Sequence, residues 1–157
     1  MKIPDSIKAE LSALNDGKGV DLESWIRWEG NFSRAVGYAT IFWPEFVEFD
    51  GYILREGFSE NSLRGFEKQQ VDSRKSIECV MNHLHILDIH YPAAIHYSVD
   101  DASKDKILLL GNVLKEIYQA KLKWQFPDRP CTVEFSIPDD PEDLIGYELS
   151  FWQKRHE

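Results

Sequence analysis

Apolar residues recur at helical spacing through most of the chain and switch to strict alternation near its end. Ile7, Leu11 and Leu14 repeat at i, i+4 and i+7 behind Pro4, and Asn15-Asp16-Gly17 stops them, which predicts a first helix. A second helix starts near Asp21, with Trp25, Trp28 and Phe32 on one stripe and Arg27 and Glu29 on the wet side. Gly30-Asn31 interrupts it. Asn31 recaps a further stretch through Ala35, Val36 and Ala39, which Pro44 keeps from extending beyond Trp43.

Phe46-Val47-Glu48-Phe49 and Tyr52-Ile53-Leu54-Arg55 flank Asp50-Gly51, the turn chemistry of a two-residue β-hairpin. A short helix is expected over Ser59 to Gln69. A longer one is expected from Ser73 to Ile89, with Ile77, Val80, Met81, Leu84 and Leu87 on its apolar arc and Pro92 beyond its end. Asp100 and Asp101 read as the cap of another long helix, whose buried stripe is Ile107, Leu110, Leu114, Ile117 and Tyr118. Gly111 costs that helix about 1 kcal/mol relative to alanine. Close contact with the preceding helix would justify keeping it. The helix ends before Pro127, and Asp128-Arg129 is expected to fix the turn that follows. The period then becomes two: Val133, Phe135 and Ile137 share one face, and Tyr147, Leu149 and Phe151 share another. An antiparallel hairpin through residues 138–146 is the simplest connection.

These elements predict one α+β domain over residues 1–157, with four to five helices packed on a small antiparallel sheet built from two hairpins. Whether the hairpins share a single sheet is left open by the pattern. The chain of 157 residues is 43% hydrophobic and 13% aromatic, enough for a core built around large rings. Its apolar runs are too short to span a bilayer, and MKIPDSIKAEL carries no export signal, so a cytoplasmic location with reduced Cys79 and Cys131 is expected.

Charge narrows the partners. A formal net charge of −9 disfavours nucleic acid and anionic membranes. From Cys131 to Ser150 the sequence carries Glu134, Asp139, Asp140, Glu142, Asp143 and Glu148 with no Lys or Arg, a surface suited to steering a basic protein. The same segment would serve equally as a solvated loop that keeps the chain soluble. Trp152 falls on the outer face of the last strand beside Glu148 and Ser150. Left uncovered it would be an aromatic anchor ringed by charge; covered by the N-terminal helices it would be core.

The other candidate chemistry lies on a stripe of Cys79, His83 and His90, where sulfur and imidazole suit a zinc ion. Only His96 and Cys131 offer themselves as further ligands. On a continuous helix His83 and His85 would point to nearly opposite sides and could not close on one ion. No nucleophile elbow, phosphate-cradling glycine loop or zinc-protease spacing is present, and no cofactor is implied. Three readings follow. The first is a small acidic binding or inhibitory protein, such as an immunity protein that neutralises a toxin. The second is a metal-dependent protein or an enzyme of another kind, centred on Cys79, His83 and His90. The third is a structural subunit whose aromatics are buried in a homo-oligomer.

Overall fold

The computed structural model describes residues 2–69, 73–90 and 102–157. Three helices open the chain, α1 (Asp5–Ala13), α2 (Leu22–Glu29) and α3 (Phe32–Phe42). They are followed by the hairpin β1 (Phe46–Phe49) and β2 (Tyr52–Arg55), then α4 (Glu60–Lys68) and α5 (Arg74–Met81). A short strand β3 (Leu84–His85) runs into a 3-10 turn at Ile86–His90. The long helix α6 (Lys104–Gln125) and the strands β4 (Cys131–Ser136) and β5 (Glu148–Gln153) complete the order. The α+β class stands, with six α-helices among the described residues where four or five were expected.

Local chemistry explains most boundaries. Asn15, Asp16 and Gly17 all take positive φ (57°, 54° and 76°), ending α1. Asp21, Asn31, Ser59 and Ser73 each accept a backbone N–H of the first turn of α2, α3, α4 and α5. Asp50 and Gly51 sit at φ 50° and 82°, the left-handed pair that a tight hairpin turn requires. Asp100 and Asp101 lie outside the described residues, as do Pro92 and His96. Ser103 occupies the N-cap position of α6.

The two hairpins do not share a sheet. β1 and β2 form one antiparallel pair, and β3-β5-β4 form a separate three-stranded sheet. The C-terminal connection is an antiparallel hairpin, with Val133 opposite Phe151 and Phe135 opposite Leu149. Residues of α6 (Ile107, Leu114, Tyr118 and Leu122) cover the inner face of this sheet together with Phe46 and Ile53 of the first hairpin. Edge-on ring contacts from Phe46 to Tyr118 (5.5 Å) and Phe151 (4.9 Å) lie at the centre of that core. The opposite face of the first hairpin, Tyr52 and Leu54, packs with Leu63 of α4 and Ile77 of α5 in a second core. Gly111 is explained differently from the expectation. A Cβ there would stand 2.1 Å from the Phe135 ring, so the close approach is to β4 and not to another helix.

Helix α5 joins the two sheets. It stops at Met81, and its last turn supplies side chains that complete the strand edges. Asn82 donates to the carbonyls of Ile53 (2.9 Å) and Phe151 (3.2 Å) and accepts from the Arg55 N–H (3.1 Å). The fully buried Glu78 accepts the N–H of Ile53 at 2.9 Å and that of Gln153 at 2.8 Å. It also accepts the Gln153 side-chain amide and Nδ1–H of His156. Two polar side chains thus replace a ladder of backbone bonds between β2 and β5.

Candidate functional site

Strand alternation places the outward residues of the C-terminal hairpin in one row. Lys154 N–H donates to the Pro130 carbonyl, in line with a register that pairs Thr132 with Trp152, Glu134 with Ser150 and Ser136 with Glu148. His85 of β3 lies opposite Glu148 on the other side. Helix α5 stands along this face, and between them runs a groove of about 520 Å³ lined by Lys75, Ser76, Cys79, Val80, His83, Glu134, Ser136, Glu148, Ser150 and Trp152. The Ser150 hydroxyl donates to the Cys79 carbonyl at 2.6 Å, fixing wall to floor.

Trp152 is covered, but by α5 and not by the N-terminal helices. Only 6% of it is exposed, the Lys75 ammonium sits 4.6 Å from its ring centre, and its indole N–H donates to Glu157 at 3.0 Å. The Thr132 hydroxyl and this indole hold the Glu157 carboxyl below its ordinary range. Trp152 therefore forms the end of the groove floor and is not a protruding anchor.

The six carboxylates are displayed. Glu134, Asp139, Asp140, Glu142 and Asp143 are exposed and Glu148 is half-buried. Among the described residues none of them pairs with a Lys or Arg; Glu148 meets only His85, at 3.3 Å. Asp140 accepts the Glu142 N–H, and Asp143 accepts those of Ile145 and Gly146, so these two also hold the loop's shape. Ile137 (58% exposed) and Ile145 (61%) flank the loop, apolar side chains that sequence alternation had assigned to the core or left aside. Ile137 falls one residue past the end of β4, where pairing stops and inward direction is lost.

The stripe of Cys79, His83 and His90 does not form. Because α5 ends at Met81, His83 and His85 leave the helix, and His90 closes the 3-10 turn against the Tyr38 hydroxyl. Cys79 and His83 line the groove and His90 does not. The opposition expected of His83 and His85 is also overturned. Their rings meet edge to face with centroids 5.2 Å apart. Each donates Nδ1–H to a carbonyl, His83 to Val80 and His85 to Ile145. Among the described residues no three His, Cys, Asp or Glu side chains are grouped to hold a metal ion. Burial pushes the Cys131 thiol up to about 12, which leaves it protonated at neutral pH. In the turn of Asp128-Arg129, the Arg129 N–H donates to the Phe126 carbonyl at 3.1 Å and its guanidinium reaches Glu48 of β1 at 2.7 Å.

Lys75, Ser76 and Ser136 escaped the reading of the sequence, which had named Ser150 only as a neighbour of Trp152 on the outer face. The strand residues were legible in principle, since Ser136 and Ser150 share the parity of Glu134 and Glu148. The helix residues were not, because nothing local says which helix covers which face. Among the described residues no helix is long and apolar enough to cross a membrane. No family model matches the chain, and no curated protein or solved structure is significantly similar to it.

Proposed function

We propose that this protein is a small acidic binding or inhibitory protein, acting from the cytoplasm on a protein partner with a basic surface. The observation that supports the reading is that Glu134, Asp139, Asp140, Glu142 and Asp143 are exposed and meet no Lys or Arg among the described residues, with exposed Ile137 and Ile145 in the same segment. Charge without internal neutralisation steers an oppositely charged partner, and exposed apolar residues beside it supply the contact that holds it. An immunity protein that neutralises a toxin is the most specific form of this reading. Small size and net charge −9 both favour it. The test is binding and growth rescue against the product of any toxin reading frame adjacent to its gene. Asp139→Lys with Glu142→Lys is the informative variant, since among the described residues neither side chain makes a hydrogen bond while Asp140 and Asp143 do. Association should weaken at least tenfold and lose most of its salt dependence; equal affinity in both forms would remove the acidic-surface reading.

A second reading, a homo-oligomeric subunit, is supported by α2 and α3. Trp28 (65%), Phe32 (93%) and Val36 (68%) are exposed on these helices, neither of which contributes a buried residue. Light scattering decides it, because a monomer over a wide concentration range excludes an obligate oligomer.

A further inference from the structure

The groove beside α5 has a chemistry of its own, apart from the acidic loop. Its floor is the outer face of β4 and β5, where Glu134 lies opposite Ser150 and Glu148 opposite Ser136. The two carboxylates are therefore diagonal neighbours across an antiparallel pair, with Cα atoms roughly 7–8 Å apart. That spacing leaves both within reach of one guanidinium or ammonium placed between them. Glu134 has no hydrogen bond or ion pair among the described residues, and it is exposed. The Glu148 carboxylate meets His85 only at 3.3 Å, while the imidazole donates its Nδ1–H to the Ile145 carbonyl at 2.8 Å. Lys75, the only Lys or Arg of the lining among the described residues, is turned to the Trp152 ring at 4.6 Å. Val80, 36% exposed on the wall, offers apolar surface for an aliphatic stem. Serine hydroxyls of Ser76 and Ser136 add polar partners at the rim.

We propose that this groove receives an arginine or lysine side chain from an extended basic segment of the partner, with its cationic head between Glu134 and Glu148 and its stem along Val80. A second copy of this chain is disfavoured as occupant, because like net charges of −9 repel. The inference rests on the reading of an acidic binding protein and locates one specific contact within it. An arginine gains most, since its planar fork meets two carboxylates at once.

The experiment uses the full-length ¹⁵N-labelled protein and short capped peptides, Gly-Ser-Arg-Ser-Gly and its citrulline counterpart, which keeps the shape and removes the charge. The arginine peptide should shift amide resonances of Ser76, Cys79, Glu134, Ser136, Glu148 and Ser150 in a saturable manner, and the citrulline peptide should not. Glu134→Gln with Glu148→Gln should weaken the arginine peptide about tenfold or more. Unchanged shifts elsewhere in that variant establish that it is folded, and Glu134→Gln alone, at an exposed site, supplies a milder second variant. Equal response to the two peptides, or equal affinity of the variants, overturns the groove. Arginine-dependent shifts confined to residues 139–143 also overturn it while leaving the acidic-surface reading standing. If the groove responds as expected but Asp139→Lys with Glu142→Lys still binds a basic partner unchanged, the loop fails and the groove stands.

Discussion

The carboxylate of Glu78 and those of the segment 134–148 are the same chemical group in opposite surroundings. Glu78 is fully buried and accepts donors from Ile53, Gln153 and His156; Glu134, Asp139 and Glu142 are exposed with no side-chain partner among the described residues. A buried carboxylate surrounded only by donors holds structure, because every lone pair is spent within the fold and the cost of removing it is high. An exposed carboxylate with nothing beside it adds little to the fold and leaves its field available to another molecule. The difference separates residues that join the two sheets from residues free to act outside them.

The largest effect is expected at the joint. Glu78→Ala strands two backbone N–H groups, the Gln153 amide and the His156 ring together, so unfolding free energy should fall by about 3–5 kcal/mol. Urea unfolding followed by tryptophan fluorescence reads it directly. A loss below about 1 kcal/mol, the scale of an ordinary surface change, would mean that the sheets are held by hydrophobic packing alone and that the contrast with the acidic segment is false.

An intermediate case is Asp105, at the start of α6. It accepts the Ser103 hydroxyl and both the N–H (3.1 Å) and hydroxyl (2.9 Å) of Ser6, tying α1 to α6. These donors hold its carboxyl well below the ordinary value of 3.8, the Ser103 hydroxyl foremost. A carboxyl whose folded value is depressed gives stability that is complete above its ordinary value and disappears as pH falls through the folded one. Wild-type protein should therefore lose stability between about pH 5 and pH 2 in part through this contact, and Asp105→Asn should show a flatter acid limb. Urea midpoints at pH 7, 5 and 3 test it. Parallel curves for the two proteins would mean that the contact contributes nothing.

How much of this was legible in the sequence follows from the range over which each feature is decided. The Asp50-Gly51 turn, the stop at Asn15-Asp16-Gly17 and the alternation in β4 and β5 are local, and the structure keeps them. The end of α5 is not local. Leu84 and Leu87 continue the helical spacing, yet Asn82 finds better partners in Ile53, Arg55 and Phe151 than a further helical turn offers. Leu84 and Leu87 then reach the core from β3 and the 3-10 turn instead. Losing that helix removed the stripe of Cys79, His83 and His90. It also freed Leu84 and His85 to pair with β5 as β3, which places His85 opposite Glu148. A glutamate at position 78 gave no sign of burial, because its donors lie on strands far away in sequence.

The smallest effect is expected where the charge is densest. The Asp139 and Glu142 side chains are exposed and make no hydrogen bond or ion pair among the described residues, so Asp139→Lys with Glu142→Lys should leave unfolding free energy within about 0.5 kcal/mol of wild type at physiological salt. What shift there is should be towards greater stability, since the change relieves repulsion among carboxylates and moves the net charge of −9 nearer zero. Raising the salt concentration should shrink that gain, because screening already softens the repulsion in the wild type. Urea titrations at low and high salt measure both points. Destabilisation by 2 kcal/mol or more would show that these side chains support the fold after all, and the separation between joint and display would collapse at the residues on which the proposed function depends.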